Sequence, residues 1–209
     1  MQENPVSLQV IANALNDWWH DWINQCVLNL AWALSWLTVI LGPPATLGLY
    51  YVNVRLAYGE SLGLKGLVEG SRRYFFISWL WMLINLAVVV LVGINFFFYA
   101  SFTAAWFDLL QGFFLLLGLA WLVVQFYTLP YLIVQEHKHV GHAMRNGLFT
   151  ALAAPGYSLV LGCAALLIAL LCVFTVAPLF LGGPCLIALL GNHAVLERLE
   201  TFKVHDRRT

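Results

Sequence analysis

The side chains in this chain that could do chemistry form three small groups. The first is Glu136, His139 and His142. On a helix each is three positions from the next, so all three would share a face. They could then ligate one divalent metal or titrate near neutrality. Gly141 interrupts that helix, and the alternative is a solvated interfacial linker. The second group is Asn192 and His193, inside the last apolar run. They would either hydrogen-bond across helices or touch a lumen or substrate. The third is a stripe at helical spacing, Thr46, Tyr50 and Asn53, with Arg55 near its end.

Asn85, Asn95, Gln111 and Gln125 add amides within other apolar runs. An amide in lipid must find partners on neighbouring helices, so packing is one reading. The other is a site for a small polar ligand such as a sugar, with the aromatic faces of Tyr50, Tyr51, Trp79 and Trp81 and the free N–H groups of a helix starting at Pro43-Pro44. No Walker A, HExxH or GxSxG motif occurs, nor any pair of carboxylates within an apolar run. The reading is therefore non-enzymatic, with no cofactor. Acidic residues are almost absent from the apolar runs, which counts against an ion-coupled carrier.

The elements that must position these groups are apolar. Of 209 residues, 62% are hydrophobic and 10% charged, against about 25% charged in soluble domains. Lipid must be the solvent for most of the chain. Net charge is zero, which excludes a basic nucleic-acid-binding surface. The four cysteines lie in apolar runs without CxxC spacing and read as small hydrophobes. The first 21 residues contain no Lys or Arg and no apolar signal core, so the mature chain is expected to start near Met1.

The organising stretch is Leu41-Gly42-Pro43-Pro44-Ala45-Thr46. Prolines disfavour α conformation in the residue before them and tolerate a helix's first turn. One helix should end near Leu41 and another begin at Pro43 or Pro44, forming a membrane hairpin. Ahead of it, residues 5–22 read as an interfacial amphipathic helix closed by Trp18, Trp19 and Trp22. Residues 23–41 are long enough to cross. Residues 44–59 would span about 24 Å, short of a core about 30 Å thick, and either cross in a thinned bilayer or re-enter.

Further crossings are expected at 75–98, 109–134, 157–178 and 184–198. Between them lie a linker at 60–73, with a short amphipathic helix that Ser61 could cap, and a second at 136–145 leading into a short helix ended by Pro155-Gly156. All ten Lys and Arg residues sit beside these linkers or in the tail; the loops near 42–44, 99–108 and 178–184 have none. With six crossings, the positive-inside rule places both linkers and both termini in the cytoplasm.

One resemblance follows from these residues. Leu37-Thr38-Val39-Ile40-Leu41-Gly42-Pro43-Pro44-Ala45-Thr46, then a basic linker and the aromatic start Arg73-Tyr74-Phe75, resembles the YesL-type family of small bacterial integral membrane proteins. The resemblance covers about residues 22–80. The family's turn is Thr-(Ile/Val)-Gly-Pro-Ala-Thr-like; here Ile40 and Leu41 separate Val39 from Gly42, and Pro44 is extra. The resemblance implies a bacterial plasma membrane and an association with carbohydrate uptake, and it carries over no catalytic residues.

The expectation is an all-α polytopic membrane helix bundle of six crossings, the second and last short. An interfacial helix occupies 1–22, the transmembrane domain 23–198 and a cytoplasmic tail 199–209. The expected function is that of an accessory or regulatory component. Lys65, Arg72 and Arg73 would be its partner surface, toward a transporter subunit, a sensor or a second copy. The alternative is a small permease or channel using the 46–50–53 stripe.

Overall fold

The computed structural model describes residues 6–102, 105–136, 138–175 and 177–206. Among these every regular element is helical. The order is α1 (Val6–His20), α2 (Trp22–Leu37), α3 (Gly42–Ala57), α4 (Gly63–Arg73), α5 (Phe75–Ala100), α6 (Ala105–Val134), α7 (Val140–Ala153), α8 (Pro155–Thr175), α9 (Ala177–Phe180) and α10 (Gly183–Asp206). Three helices, α5, α6 and α8, are long and apolar enough to cross a membrane. Their outward faces carry large exposed apolar side chains such as Phe76, Ile94, Leu116 and Phe174, as lipid-facing surfaces require.

The Gly-Pro-Pro turn behaves as its chemistry dictates. α2 stops at Leu37, and α3 starts at Gly42 with its prolines in the first turn. Thr38 ties the turn together: its hydroxyl donates to Ser35 O at 2.7 Å and accepts from Leu41 N–H at 3.3 Å. Val39 sits at φ +56, a region that β-branched residues strongly avoid.

α3 is the hub. Most of its residues are buried, and α2, α4, α5, α6 and α10 all touch it. Two glycines bring α3 and α4 together: a Cβ on Gly70 would lie 2.9 Å from Gly48 Cα, and one on Gly48 would lie 2.6 Å from Leu67 O. Ser61 does not cap α4. Leu62 holds the N-cap position, and the Ser61 hydroxyl donates instead to Asp21 Oδ1 at 3.1 Å.

α6 continues through Pro130. A proline in a helix leaves the carbonyl four residues earlier without its N–H partner, here that of Phe126. Gly191 of α10 fills that place, since a Cβ there would come 3.0 Å from Phe126 O and 3.1 Å from Pro130 Cγ. α8 and α10 run antiparallel: Gly183 packs on Cys172, and Arg198 stacks 4.2 Å from the Tyr157 ring centroid. α10 continues to Asp206, so position 198 lies inside a helix.

Two packing relations involve α1 and the loop before α10. α1 buries Val10 and Ala14 against the bundle and lies along α10. Gly182, in a loop expected on the face opposite the start of α2, meets Trp18 Nε1 and the Gln25 backbone. α4 lies along α3, with Tyr74 at its C-terminal end near Lys138 and its N-terminal end near Asn24.

Candidate functional site

The stripe on α3 comes apart when its partners are placed. Thr46 is committed: its hydroxyl accepts from Trp32 Nε1 at 2.9 Å and donates to Gly42 O at 2.9 Å. Asn53 is fully buried and donates to Leu49 O at 2.9 Å. Buried Tyr50 offers its backbone carbonyl to Asn192 Nδ2 at 3.2 Å. Arg55 turns away from them to a salt bridge with Glu60, where both side chains are exposed.

Around Asn53 and Asn192 lie polar residues that sequence patterning did not single out. Gln25 and Asn29 of α2 are fully buried, and the Cys185 thiol donates to Gln25 O at 3.4 Å. The available signal was their spacing, one helical turn apart on a face opposite the exposed Ile23, Val27, Leu30 and Leu34.

Asn85 belongs elsewhere, in a network between α5 and α6. Gln125 Oε1 accepts from Trp81 Nε1 at 2.8 Å and from Asn85 Nδ2 at 3.3 Å, and Asn85 Oδ1 accepts from Trp121 Nε1 at 3.0 Å. His193 forms a third locus. Its Nε2 lies 2.8 Å from Asp17 Oδ2 of α1, while its neighbour Asn192 faces α3. Asn53, Asn85 and His193 therefore do not meet.

The histidine linker also differs from its helical expectation. α6 ends at Val134, residue 139 is extended (φ −124, ψ 121), and α7 begins only at Val140. Gln135 Nε2 binds His139 O at 3.0 Å and Lys138 Nζ binds Ile133 O at 2.5 Å, which holds the segment open. The rings of His139 and His142 are 4.9 Å apart. Among the described residues no group of three His, Cys, Asp or Glu side chains is placed to hold a metal.

Clefts open on the surface in several places. One of about 340 Å³ is lined by Gln135, Glu136, His142, Arg145 and Asn146. One of about 660 Å³ lies between the α1–α2 junction and α4, with His20, Asp21 and Lys65 at its polar rim. Another, about 350 Å³, is an apolar groove between α5 and α6 lined by residues such as Val92, Gly93 and Leu122. Thr46, Tyr50, Asn53, Asn85, Asn192 and His193 line none of them.

Among the basic residues, Lys65, Arg72 and Arg73 form no salt bridge within the described residues. Arg73 lies 5.8 Å and Lys138 6.0 Å from the Tyr74 ring centroid. Burial, and then the like charge of Arg73, push the Lys138 ammonium below the usual lysine range. No protein-family model, curated protein or solved structure matches this chain.

Proposed function

We infer that this is a non-enzymatic integral membrane protein, an accessory or regulatory component acting on a partner in the same membrane. One observation carries the reading: Asn53, Asn85 and His193 lie apart, Asn53 donating within α3, Asn85 joining α5 to α6 and His193 joining α10 to α1. A carrier needs polar groups converging on a shared cavity, and these three do not converge. Lys65, Arg72 and Arg73 are the surface for the partner. The resemblance to YesL-type proteins supports a bacterial plasma membrane and a link to carbohydrate uptake.

For the topology we favour a re-entrant unit over a second crossing. The close packing of α3 on α4 supports pairing residues 42–73 as that unit. Arg72 and Arg73 at the end of the first linker, the second linker and the C-terminus then face the cytoplasm, while Ser61, bonded to Asp21, stays with the α1–α2 junction. The α1–α2 junction shares the opposite face with residues 181–183, in keeping with Gly182 lying against Trp18. Single cysteines at Trp19 and Leu181 should react with an impermeant reagent from the same side, and one at Arg145 from the other. Labelling of Trp19 and Leu181 from opposite sides restores the six-crossing arrangement.

The functional test is purification from native membrane in mild detergent, with mass spectrometry of what stays bound. A stoichiometric transporter subunit or sensor is expected. A chain that comes alone and moves sugars across liposomes overturns the reading, the more so if Asn53→Ala and His193→Ala abolish that flux.

A further inference from the structure

Tyr74 closes α4 and opens α5, and its ring is buried. Two cations approach that ring: Arg73, from the last turn of α4, and Lys138, from the linker after α6. Both distances lie within reach of a cation–π contact. Sixty-five positions of chain separate Arg73 from Lys138, so only the tertiary fold makes them neighbours. Two like charges held at one ring repel, and neither has a salt bridge within the described residues. Glu69 accepts instead from Tyr51 Oη at 3.2 Å.

The donors are unevenly committed. Lys138 Nζ gives two hydrogens to the carbonyls of Ile133 and Gln135 at the end of α6, and an ammonium has three. Arg73 is exposed, with a guanidinium fork that matches phosphate geometry. On α5, the helix that follows Tyr74, an apolar track is exposed. Phe76 is 85% exposed, and Leu80 and Leu83 continue the same stripe at helical spacing. A ligand that satisfies both features is anionic at one end and a long hydrocarbon at the other.

We propose that Arg73 and Lys138 hold the phosphate of an anionic phospholipid whose acyl chain lies along Phe76, Leu80 and Leu83. The site shares Arg73 with the partner surface proposed above, and lipid retention in the absence of any co-purifying protein distinguishes the two. Arg73 supplies paired N–H donors, Lys138 supplies its third hydrogen and its charge, and Tyr74 keeps the two at a fixed separation. The phosphate relieves the repulsion between the cations.

The test uses the full chain, purified in mild detergent and offered phosphatidylglycerol or phosphatidylcholine of the same acyl composition, with bound lipid counted by native mass spectrometry. Phosphatidylglycerol should be retained over phosphatidylcholine. Arg73→Gln should cut its apparent affinity about fivefold, the effect of one basic residue at an anionic surface, and Arg73→Lys should recover much of that. Lys138→Gln should lower it independently. Millimolar inorganic phosphate should not displace the lipid. Equal retention of the two lipids, or unchanged binding in both Gln variants, overturns the proposal. Displacement by inorganic phosphate also overturns it and leaves a small-anion site. Loss of a co-purifying protein from Arg73→Gln with lipid retention unchanged assigns the surface to a protein partner instead.

Discussion

Asp17 and His193 stand 176 positions apart in the chain, and their side chains are 2.8 Å apart. The contact fastens α1 to α10, with both side chains largely shielded. It gives His193 a role in holding the bundle together and gives α1 a polar anchor beside its buried Val10 and Ala14. Asp17→Ala leaves a half-buried imidazole unpartnered and should cost about 1–3 kcal/mol. Hydrogen exchange read helix by helix should show α1 losing protection while α5 keeps its own. Unchanged protection of α1 would mean that its apolar face alone holds it.

The contact of Gly48 with Gly70 is equally specific. Gly48→Ala puts a methyl against the Leu67 carbonyl and the Ser71 hydroxyl, and a backbone atom cannot swing aside. A loss of about 1–3 kcal/mol is expected, as for overpacking elsewhere. Gly93→Ala has open space around the new methyl and should be neutral or slightly stabilising. Thermal melts in one detergent would compare them, and equal melting temperatures would remove the close approach as the reason for glycine at position 48.

At the Gly-Pro-Pro turn, Val39 holds φ +56 with an exposed side chain. A left-handed backbone costs a residue with a Cβ roughly 1–2 kcal/mol, and glycine avoids that cost. Val39→Gly should therefore raise the melting temperature, less the entropy that glycine adds to the unfolded chain. A lowered melting temperature would mean that the valine side chain has a partner in the bilayer.

The network between α5 and α6 should behave as packing. Replacing Asn85 with Leu strands the Trp121 indole and removes one donor to Gln125. Interhelical hydrogen bonds in membranes average about 0.6 kcal/mol, so the loss should be small, near 1 kcal/mol. A double-mutant cycle with Gln125→Leu should show coupling between the two positions. Full additivity would break the network into independent bonds.

Lys138 provides a pH test. Its folded-state pKa is lowered by burial first and by Arg73 second, so the charged form is disfavoured in the folded protein relative to the unfolded chain. The penalty is full below the folded pKa and disappears as pH rises through it toward the unfolded value near 10.4. Stability from this group should therefore increase on the alkaline side. Arg73→Gln removes the second cause and should shrink that gain, as read from melting temperature against pH. A variant with the same pH slope as the wild type would show that Arg73 does not reach Lys138.

Much of the architecture was legible from local chemistry. Prolines at 43, 44 and 155 mark helix starts, and charge-free runs mark the helices, because backbone sterics and the cost of charge in lipid act over a few residues. Partner assignments were not legible in this way. Thr46, Tyr50 and Asn53 share a helical stripe, yet Thr46 meets Trp32 of α2, the Tyr50 carbonyl meets Asn192 of α10, and Asn53 bonds within α3. The spacing of Glu136, His139 and His142 would align them only on a continuous helix, and α6 ends at Val134 with residue 139 extended.

By itself the sequence determined that the described chain is helical with membrane-length apolar helices, and where several of those helices start. Only the tertiary structure decided that α4 lies along α3, that Gly182 meets Trp18, that Asp17 holds His193, and that Arg73 and Lys138 share Tyr74. Helix formation is governed by residues within a turn or two of one another. Which buried amide, glycine or cation meets which partner depends on how whole helices pack, and hydropathy along the chain carries no record of that.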